Sequence, residues 1–463
     1  MKKFIGNKTF YKTVLLVAIP IMVQNAITNF VGLLDNIMVG RIGTEQMSGV
    51  AIANQLLMIY NLSIFGALSG AGIFGAQFFG CKDQEGVRHV FRFKMYACAL
   101  ITVIGAAIFF IFGENLIMLY LHDEGGGQSL EAALHFGKQY LAVMIFGLLP
   151  FGVEQVYAST LRECGETVVP MKAGVIAVFL NCVLNFVLIF GYLGFPKLGV
   201  IGAASATCIA RYVQASIVVV WTHTHAEKAP FIQGVYASPR IPLVLCRKLI
   251  VGGLPLLINE FLWSMGIASL MQCYSLRGLD AVAAMNISNT ITNLFNILYV
   301  AMGNAIGILV GQLLGAGKLE EARDTDTKLI TFAVILSMFM GVVLWLFAPL
   351  LPAVYNTSDS VKALATSFMR VAAMAMPINS FVHASYFTLR SGGKTFVTFL
   401  FDGVYLWSIN FTTAFILSRF TAIPIVPLYF VCQIEDILKC AIGFILIKKG
   451  IWINNLVEEK EQN

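Results

Sequence analysis

The sequence predicts an all-α integral membrane protein with twelve transmembrane helices, in two six-helix lobes related by a parallel internal repeat. Three observations carry that prediction. The first is composition. Of 463 residues, 58% are hydrophobic and 12% charged, and the mean hydropathy is +0.79, whereas a water-soluble domain carries roughly 25% charged residues. The second is segment length. A spanning helix needs about 20 mainly apolar residues, and twelve such runs lie near 13–38, 51–79, 92–113, 134–158, 167–191, 198–221, 246–275, 283–311, 329–350, 362–388, 396–418 and 424–447. Backbone polar groups in lipid must be satisfied within the segment, which makes these runs helices, and they are too long for barrel strands.

The third observation is the repeat. Residues 13–88, shifted by 235 without a gap, fall on 248–323. Pro20 then meets Pro255, Gly43 meets Gly278, Asn54 meets Asn289 and Asn61 meets Asn296. Gly72 meets Gly307, Gln77 meets Gln312, Gly80 meets Gly315 and Arg88 meets Arg323. A second match, TLRECGETVVP (160–170) with TLRSGGKT (388–395), has an offset of 228. Six helices return the chain to its starting side, so the repeat is parallel and its axis runs along the membrane normal. The expected organisation is a lobe over 1–222, a cytoplasmic linker over 223–245, and a second lobe with a short tail over 246–463.

The net charge of +6 sets topology and does not point to nucleic acid. Of the 31 Lys and Arg residues, 22 fall on segments that share one side with the N-terminus, six on the other side and three within spans. Basic residues mark the cytoplasmic side, which places both termini there and suits a plasma-membrane protein. The nine cysteines are scattered without a C-x-x-C pair, as small buried hydrophobes are. The N-terminal apolar run continues past the length of a signal-peptide core, so it reads as a retained first helix.

Taken in order, helix 1 bears Gln24, Thr28 and Asp35 on one face. A charge inside a span is costly, so Asp35 is a functional candidate by default. Helix 2 is rich in Gly, Ala and Ser, which permits close backbone approach, and its Asn54 and Asn61 face inward. Helix 4 carries Tyr140 and ends at Gly165, as helix 10 ends at Gly393, both suited to the turn between helices. Helix 5 presents Asn181 and Asn185 one turn apart, and helix 6 contributes Thr207. With Asp35, these residues supply oxygen ligands for a hard cation such as Na+, or a carboxylate that takes a proton. His223 and His225 lack a third ligand and read as part of a solvated linker. Helix 7 has Glu260 near its middle. Its repeat partner is Asn25, while Asp35 pairs with Leu270, so the acids break the symmetry of the duplication. Helix 8 shows an amide ladder, Asn286, Asn289, Asn293 and Asn296, suited to a wet cavity. Glu435 and Lys439, four apart in helix 12, read as a self-compensating pair. Asp402 and Glu154 read as paired or interfacial, and His383 as a packed polar residue.

These residues resemble the multidrug and toxic compound extrusion (MATE) family. The likeness covers about residues 13–447 and rests on AIPIMVQN…LLDNIMVGRIG, GAQFFGCKDQEGVR, QYLAVMIFGLLPF…TLRECGETVVPM, LNCVLNFVLIFG…LGVIGAASAT and GLPLLINE…GQLLGAGKLEEAR. The resemblance implies a V of two six-helix lobes around a cavity, and export of cationic or amphipathic compounds against inward Na+ or H+ flow. The family's first-helix acid falls on Asp35 and its helix 5 polar pair on Asn181 and Asn185. Some members have an acid at the second place, so Asn185 leaves the coupling ion open. An acid of the NorM-like branch falls on Glu260. No cofactor is implied beyond the coupling ion. The expected partners are small-molecule substrates and membrane lipid, with the chain monomeric. Two rival readings are a lipid-linked oligosaccharide flippase, which would have extra helices and several cavity arginines, and an integral-membrane enzyme. The latter would need a clustered nucleophile or metal-ligand set, which the sequence lacks.

Overall fold

The computed structural model describes residues 4–120, 127–355 and 357–458. The described chain is helical, and its helices follow the predicted spans. They are α1 (Lys8–Gly40), α2 (Thr44–Gly80), α3 (Gln84–Met118), α4 (Gly127–Met144 and Leu148–Glu163, joined by a tight turn at Ile145–Gly147), α5 (Val168–Phe190) and α6 (Val200–Thr224). The second half gives α7 (Leu243–Ser275), α8 (Leu279–Gly315), α9 (Leu319–Phe347) and α10 (Asp359–Ser391). It ends with α11 (Thr395–Phe420) and the two pieces of α12 (Ile425–Ile434 and Asp436–Lys449). Among the described residues, eleven helices are long and apolar enough to cross a membrane. The twelfth expected span is present but broken at Glu435, so neither piece alone has spanning length.

Three helices depart from regular geometry. At the tight turn of α4, four carbonyls take side-chain donors in place of, or besides, helix bonds. Val143 O accepts from Cys208 Sγ at 3.3 Å, Phe146 O from Tyr212 Oη at 3.2 Å, Gly147 O from Arg211 Nη1 at 3.2 Å and Leu148 O from Tyr60 Oη at 2.9 Å. An orphaned carbonyl is costly away from water, so these donors hold the turn in place. α11 is wound in wide π-type turns over Leu400–Val404 and Leu406–Phe411. At the break in α12, Tyr405 Oη donates to Glu435 O at 2.8 Å.

The chain forms two compact units. One comprises residues 23–75 and 84–249, the other residues 1–22, 76–83 and 250–463. In the first, α5 packs on α6, and α4 packs on both α6 and α3. The stretch expected as a solvated linker is built into this unit. Arg92 of α3 donates to three of its carbonyls, Val235 O at 2.6 Å, Gly234 O at 3.1 Å and Arg240 O at 3.3 Å. Phe231 is buried against Phe91. His223 hydrogen-bonds Tyr157 at 3.1 Å and stacks on Tyr236, while His225 stacks on Trp221. These aromatic contacts were not legible in a polar, proline-rich string.

In the second unit, α8, α9 and α10 pack on one another, and α12 packs on α10. The end of α2 joins it at a crossing whose two sides are repeat mates. A Cβ on Gly80 would run into the backbone of Gln312, and one on Gly315 into the backbone of Gln77. Gln77 Nε2 donates to Ser391 O at 3.0 Å and Asn454 O at 3.2 Å, and its Oε1 accepts from Leu456 N at 2.8 Å. The C-terminal tail is thereby tied down, with Trp452 fully buried.

Candidate functional site

In the first unit, Asp35 of α1 meets the polar residues of α5. Asn185 Nδ2 donates to Asp35 Oδ1 at 2.5 Å and to Asn181 Oδ1 at 3.0 Å. Asn181 Nδ2 donates to Thr207 Oγ1 of α6 at 3.2 Å. The Thr207 hydroxyl gives its proton to Ala203 O at 3.1 Å, so it acts as acceptor toward Asn181, and Tyr140 of α4 lies beside it. Four residues picked from the sequence, Asp35, Asn181, Asn185 and Thr207, thus form one hydrogen-bonded group, with a fifth, Tyr140, in electrostatic reach. The spacing of four in α5 puts both amides on one face, and Gly202 lets α6 approach α5 at the Leu188 carbonyl.

This group has more acceptors than donors. Both N–H bonds of Asn185 are used, and its Oδ1 is buried without a hydrogen-bond partner. A carboxylate beside an unpartnered carbonyl oxygen is suited to a proton or a monovalent cation. Among the described residues, no group of three or more His, Cys, Asp and Glu could hold a metal ion.

The other polar residues singled out in this unit are more dispersed. Gln24 accepts from Arg162 Nη1 at 3.4 Å. Thr28 is exposed and bonds its own helix at Gln24 O, 2.9 Å. Asn54 is exposed, and Asn61 is half-buried with Oδ1 unpartnered. Glu154 is buried, takes one bond from Gln155 at 2.8 Å and leaves Oε1 without a partner.

In the second unit, Glu260 of α7 accepts from Tyr386 Oη of α10 at 3.2 Å, with Arg390 within electrostatic reach. Beside it on α7, Asn259 Nδ2 donates to Asp402 Oδ2 of α11 at 3.0 Å. Lys439 Nζ donates to Asp402 Oδ1 at 2.7 Å. This corrects the expected Glu435–Lys439 pair. Lys439 turns to the carboxylate of α11, and Asn410 Nδ2 instead donates to Glu435 Oε1 at 2.9 Å and Asp436 Oδ1 at 3.1 Å. Of the α8 ladder, Asn286, Asn289 and Asn293 are exposed and Asn296 half-buried. His383 packs among Tyr299, Tyr386 and Phe387, as expected of a packed polar residue.

Sequence reasoning missed several buried charges, Lys94 and Asp326 among them. Lys94, one of the 22 basic residues assigned to the cytoplasmic side, is fully buried inside α3 and bonds Glu163 at 2.6 and 2.7 Å. Asp326 of α9 is fully buried, its Oδ1 accepting from Thr388 at 2.6 Å and its Oδ2 unpartnered. Both lie close to the charged helix ends, where nothing in the string separates a buried charge from a loop charge.

With that geometry in view, comparison with known proteins is decisive. The MatE family model matches residues 20–187 and again 255–416, one stretch in each half of the repeat. The chain belongs to the MATE family of efflux transporters. This MATE protein is therefore a multi-pass membrane transporter and not an enzyme. It is 23% identical over 458 residues to the probable multidrug resistance protein NorM of Thermotoga maritima, covering 97% of this chain and 95% of that one. It is 26% identical to the NorM of Halalkalibacterium halodurans, covering 93% and 92%. Its fold is that of solved MATE structures. A mutant of the Vibrio cholerae MATE transporter VcmN matches with TM-score 0.86 at 15% identity, over 97% of this chain and 98% of that one.

Proposed function

We propose that this MATE protein is a secondary antiporter that exports cationic or amphipathic compounds in exchange for inward Na+ or H+, by alternating access. The observation that carries the reading is the Asp35 group: an intramembrane carboxylate held by a neutral amide, next to an unpartnered amide oxygen. Asp35, Asn181, Asn185 and Thr207 are the proposed ion-coupling residues of the first half, and Glu260 that of the second. Gln24, Thr28, Asn54, Asn61, Tyr140 and the α8 ladder are the proposed contacts for substrate. The names of the NorM relatives, multidrug resistance proteins, support drug-like substrates. The repeat supports two moving bodies, 1–222 and 246–463, connected through 223–245. The bias of Lys and Arg supports a plasma-membrane protein with both termini in the cytoplasm.

For an uncharged substrate the membrane potential alone is sufficient. One cation charge moving inward through 100 mV yields about 2.3 kcal/mol, which sustains roughly a fifty-fold gradient of a neutral substrate. The test is ethidium efflux from proteoliposomes under an imposed Na+ gradient or an imposed proton gradient. Concentrative efflux driven by one gradient and abolished by Asp35→Asn is the expected result. Efflux that needs neither gradient, or that survives Asp35→Asn at the wild-type rate, overturns the reading.

A further inference from the structure

Asp402 is held on both sides. Lys439 Nζ bonds its Oδ1 at 2.7 Å, and Asn259 Nδ2 bonds its Oδ2 at 3.0 Å. The ammonium also lies over two aromatic faces, 5.3 Å from the Phe401 ring centroid and 5.4 Å from that of Tyr405. Aromatic faces attract cations as well as carboxylates do in kind, though less strongly. Asn259 is 1% exposed, and its Oδ1 has no hydrogen-bond partner. That oxygen lies against Gly403, where a Cβ would come within 2.7 Å of it. A carboxylate and two ring faces make a cation site, and the cation in it is the chain's own.

We infer that Lys439 is a tethered monovalent cation. Its ammonium fills the site at Asp402 and limits this unit to one exchangeable cation, at Glu260. The last clause rests on the proposed role of Glu260; the occupancy of Asp402 does not. The contrast with the first unit supports the inference, because the hydrogen bond to Asp35 comes from a neutral amide, which leaves the carboxylate's charge available. The other groups in electrostatic reach of Asp402 are Glu260, His383, Tyr386 and Asp436, while Arg390 is in reach of Glu260, His383 and Tyr386. Taking the ammonium away therefore adds negative charge to a region that already holds Glu260 and Asp436. The carboxylate then recruits a mobile cation, Na+ or a proton.

The test counts cations bound by the purified full-length transporter. Radioactive sodium binding reports Na+, and proton uptake from lightly buffered solution during an acid titration, read with an indicator dye, reports H+. Retained ethidium binding shows that each variant is folded. Lys439→Ala should bind one more monovalent cation per chain than the wild type, in one arm or the other, and Asp402→Asn combined with Lys439→Ala should lose that gain. Lys439→Gln, which keeps most of the side-chain volume, gives the same count if the alanine variant fails to fold. No gain in either arm, or a gain that persists with Asp402→Asn, overturns the inference. Glu260→Gln in the wild-type background should remove one cation. If it removes none, the reading of Glu260 fails by itself, while the Lys439 count still decides the tethered cation.

Discussion

In the first half of the chain, Lys94 of α3 reaches Thr160 at 3.3 Å and Glu163 at 2.6 Å, both near the end of α4. In the second half, Asp326 of α9 meets Thr388 near the end of α10 at 2.6 Å. Thr160 and Thr388 are repeat mates, so the duplication has kept the hydroxyl and reversed the sign of the charge it touches. A hydroxyl can donate or accept, which is why one position tolerates either sign. The first half adds Glu163 to neutralise its lysine. Glu163 in turn occupies the space that Gly72 and Gly75 leave open, since a Cβ at either would collide with its carboxylate. At the repeat position of Glu163 the second half has Ser391, and the oxygen Oδ2 of Asp326 has no partner. The halves thus share a scaffold and differ in their charges, and the same holds for Asp35 opposite Leu270 and Glu260 opposite Asn25.

The largest expected effects concern the transport acids. Asp35→Asn should insert and fold normally but lose concentrative ethidium transport, read as uptake into everted vesicles. Glu260→Gln should reduce efflux without abolishing it, because Tyr386 can still donate to a side-chain oxygen at this position and hold α7 against α10. Equal loss in the two variants would mean that the halves do not divide the work unequally. Normal efflux by Glu260→Gln across pH 6–8, an interval of roughly two units around neutrality, would make Glu260 structural.

Next come the inner charges, read as thermal unfolding in detergent. Glu163→Ala leaves Lys94 buried without a counter-charge and should destabilise by about 3–5 kcal/mol. Lys94→Met together with Glu163→Leu should recover most of that loss, since replacing both members of a buried pair by packed apolar groups is often neutral. Asp326→Asn should go the other way. It keeps a partner for Thr388 and removes an unpaired charge, stabilising by about 1 kcal/mol. If Asp326→Asn destabilises as much as Glu163→Ala, the two positions are alike in energy and the contrast drawn from their partners is wrong.

How much of this was legible in the string depends on the range of the interaction. Helix positions and the repeat were readable because hydropathy and chain punctuation are local. Both inter-helix glycines predicted from sequence, Gly165 and Gly393, have positive φ, 84° and 74°. The Asp35 group was readable because an acid within a span, an i, i+4 amide pair and a threonine are unusual in apolar helices. The broken α12 was not readable. Nothing in PLYFVCQIEDILKC marks Glu435 as a break, and the reassignment of Lys439 to Asp402 follows from packing between α11 and α12. The role of Arg92 was hidden for the same reason, since its three acceptors lie 142 to 148 residues away.

The smallest expected effect compares two turns related by the repeat. α2 ends with Lys82 N bonded to Phe79 O at 3.0 Å and Asp83 N to Phe78 O at 2.9 Å. α8 ends with Gly317 N bonded to Leu314 O at 3.1 Å and Lys318 N to Leu313 O at 3.0 Å. Both are the paired bonds of a helix closed by a left-handed residue. That residue is Lys82, φ 63°, in the first case and Gly317, φ 72°, in the second. A side chain in this region costs about 1–2 kcal/mol, which glycine avoids, while glycine loses somewhat more chain entropy on folding. Lys82→Gly should therefore stabilise the protein by about 1 kcal/mol, and Gly317→Lys should destabilise it by a similar amount. Thermal unfolding of both variants checks the pair. If Lys82→Gly has no effect or destabilises, the Lys82 side chain makes compensating contacts, and the two turns share a backbone without sharing its strain.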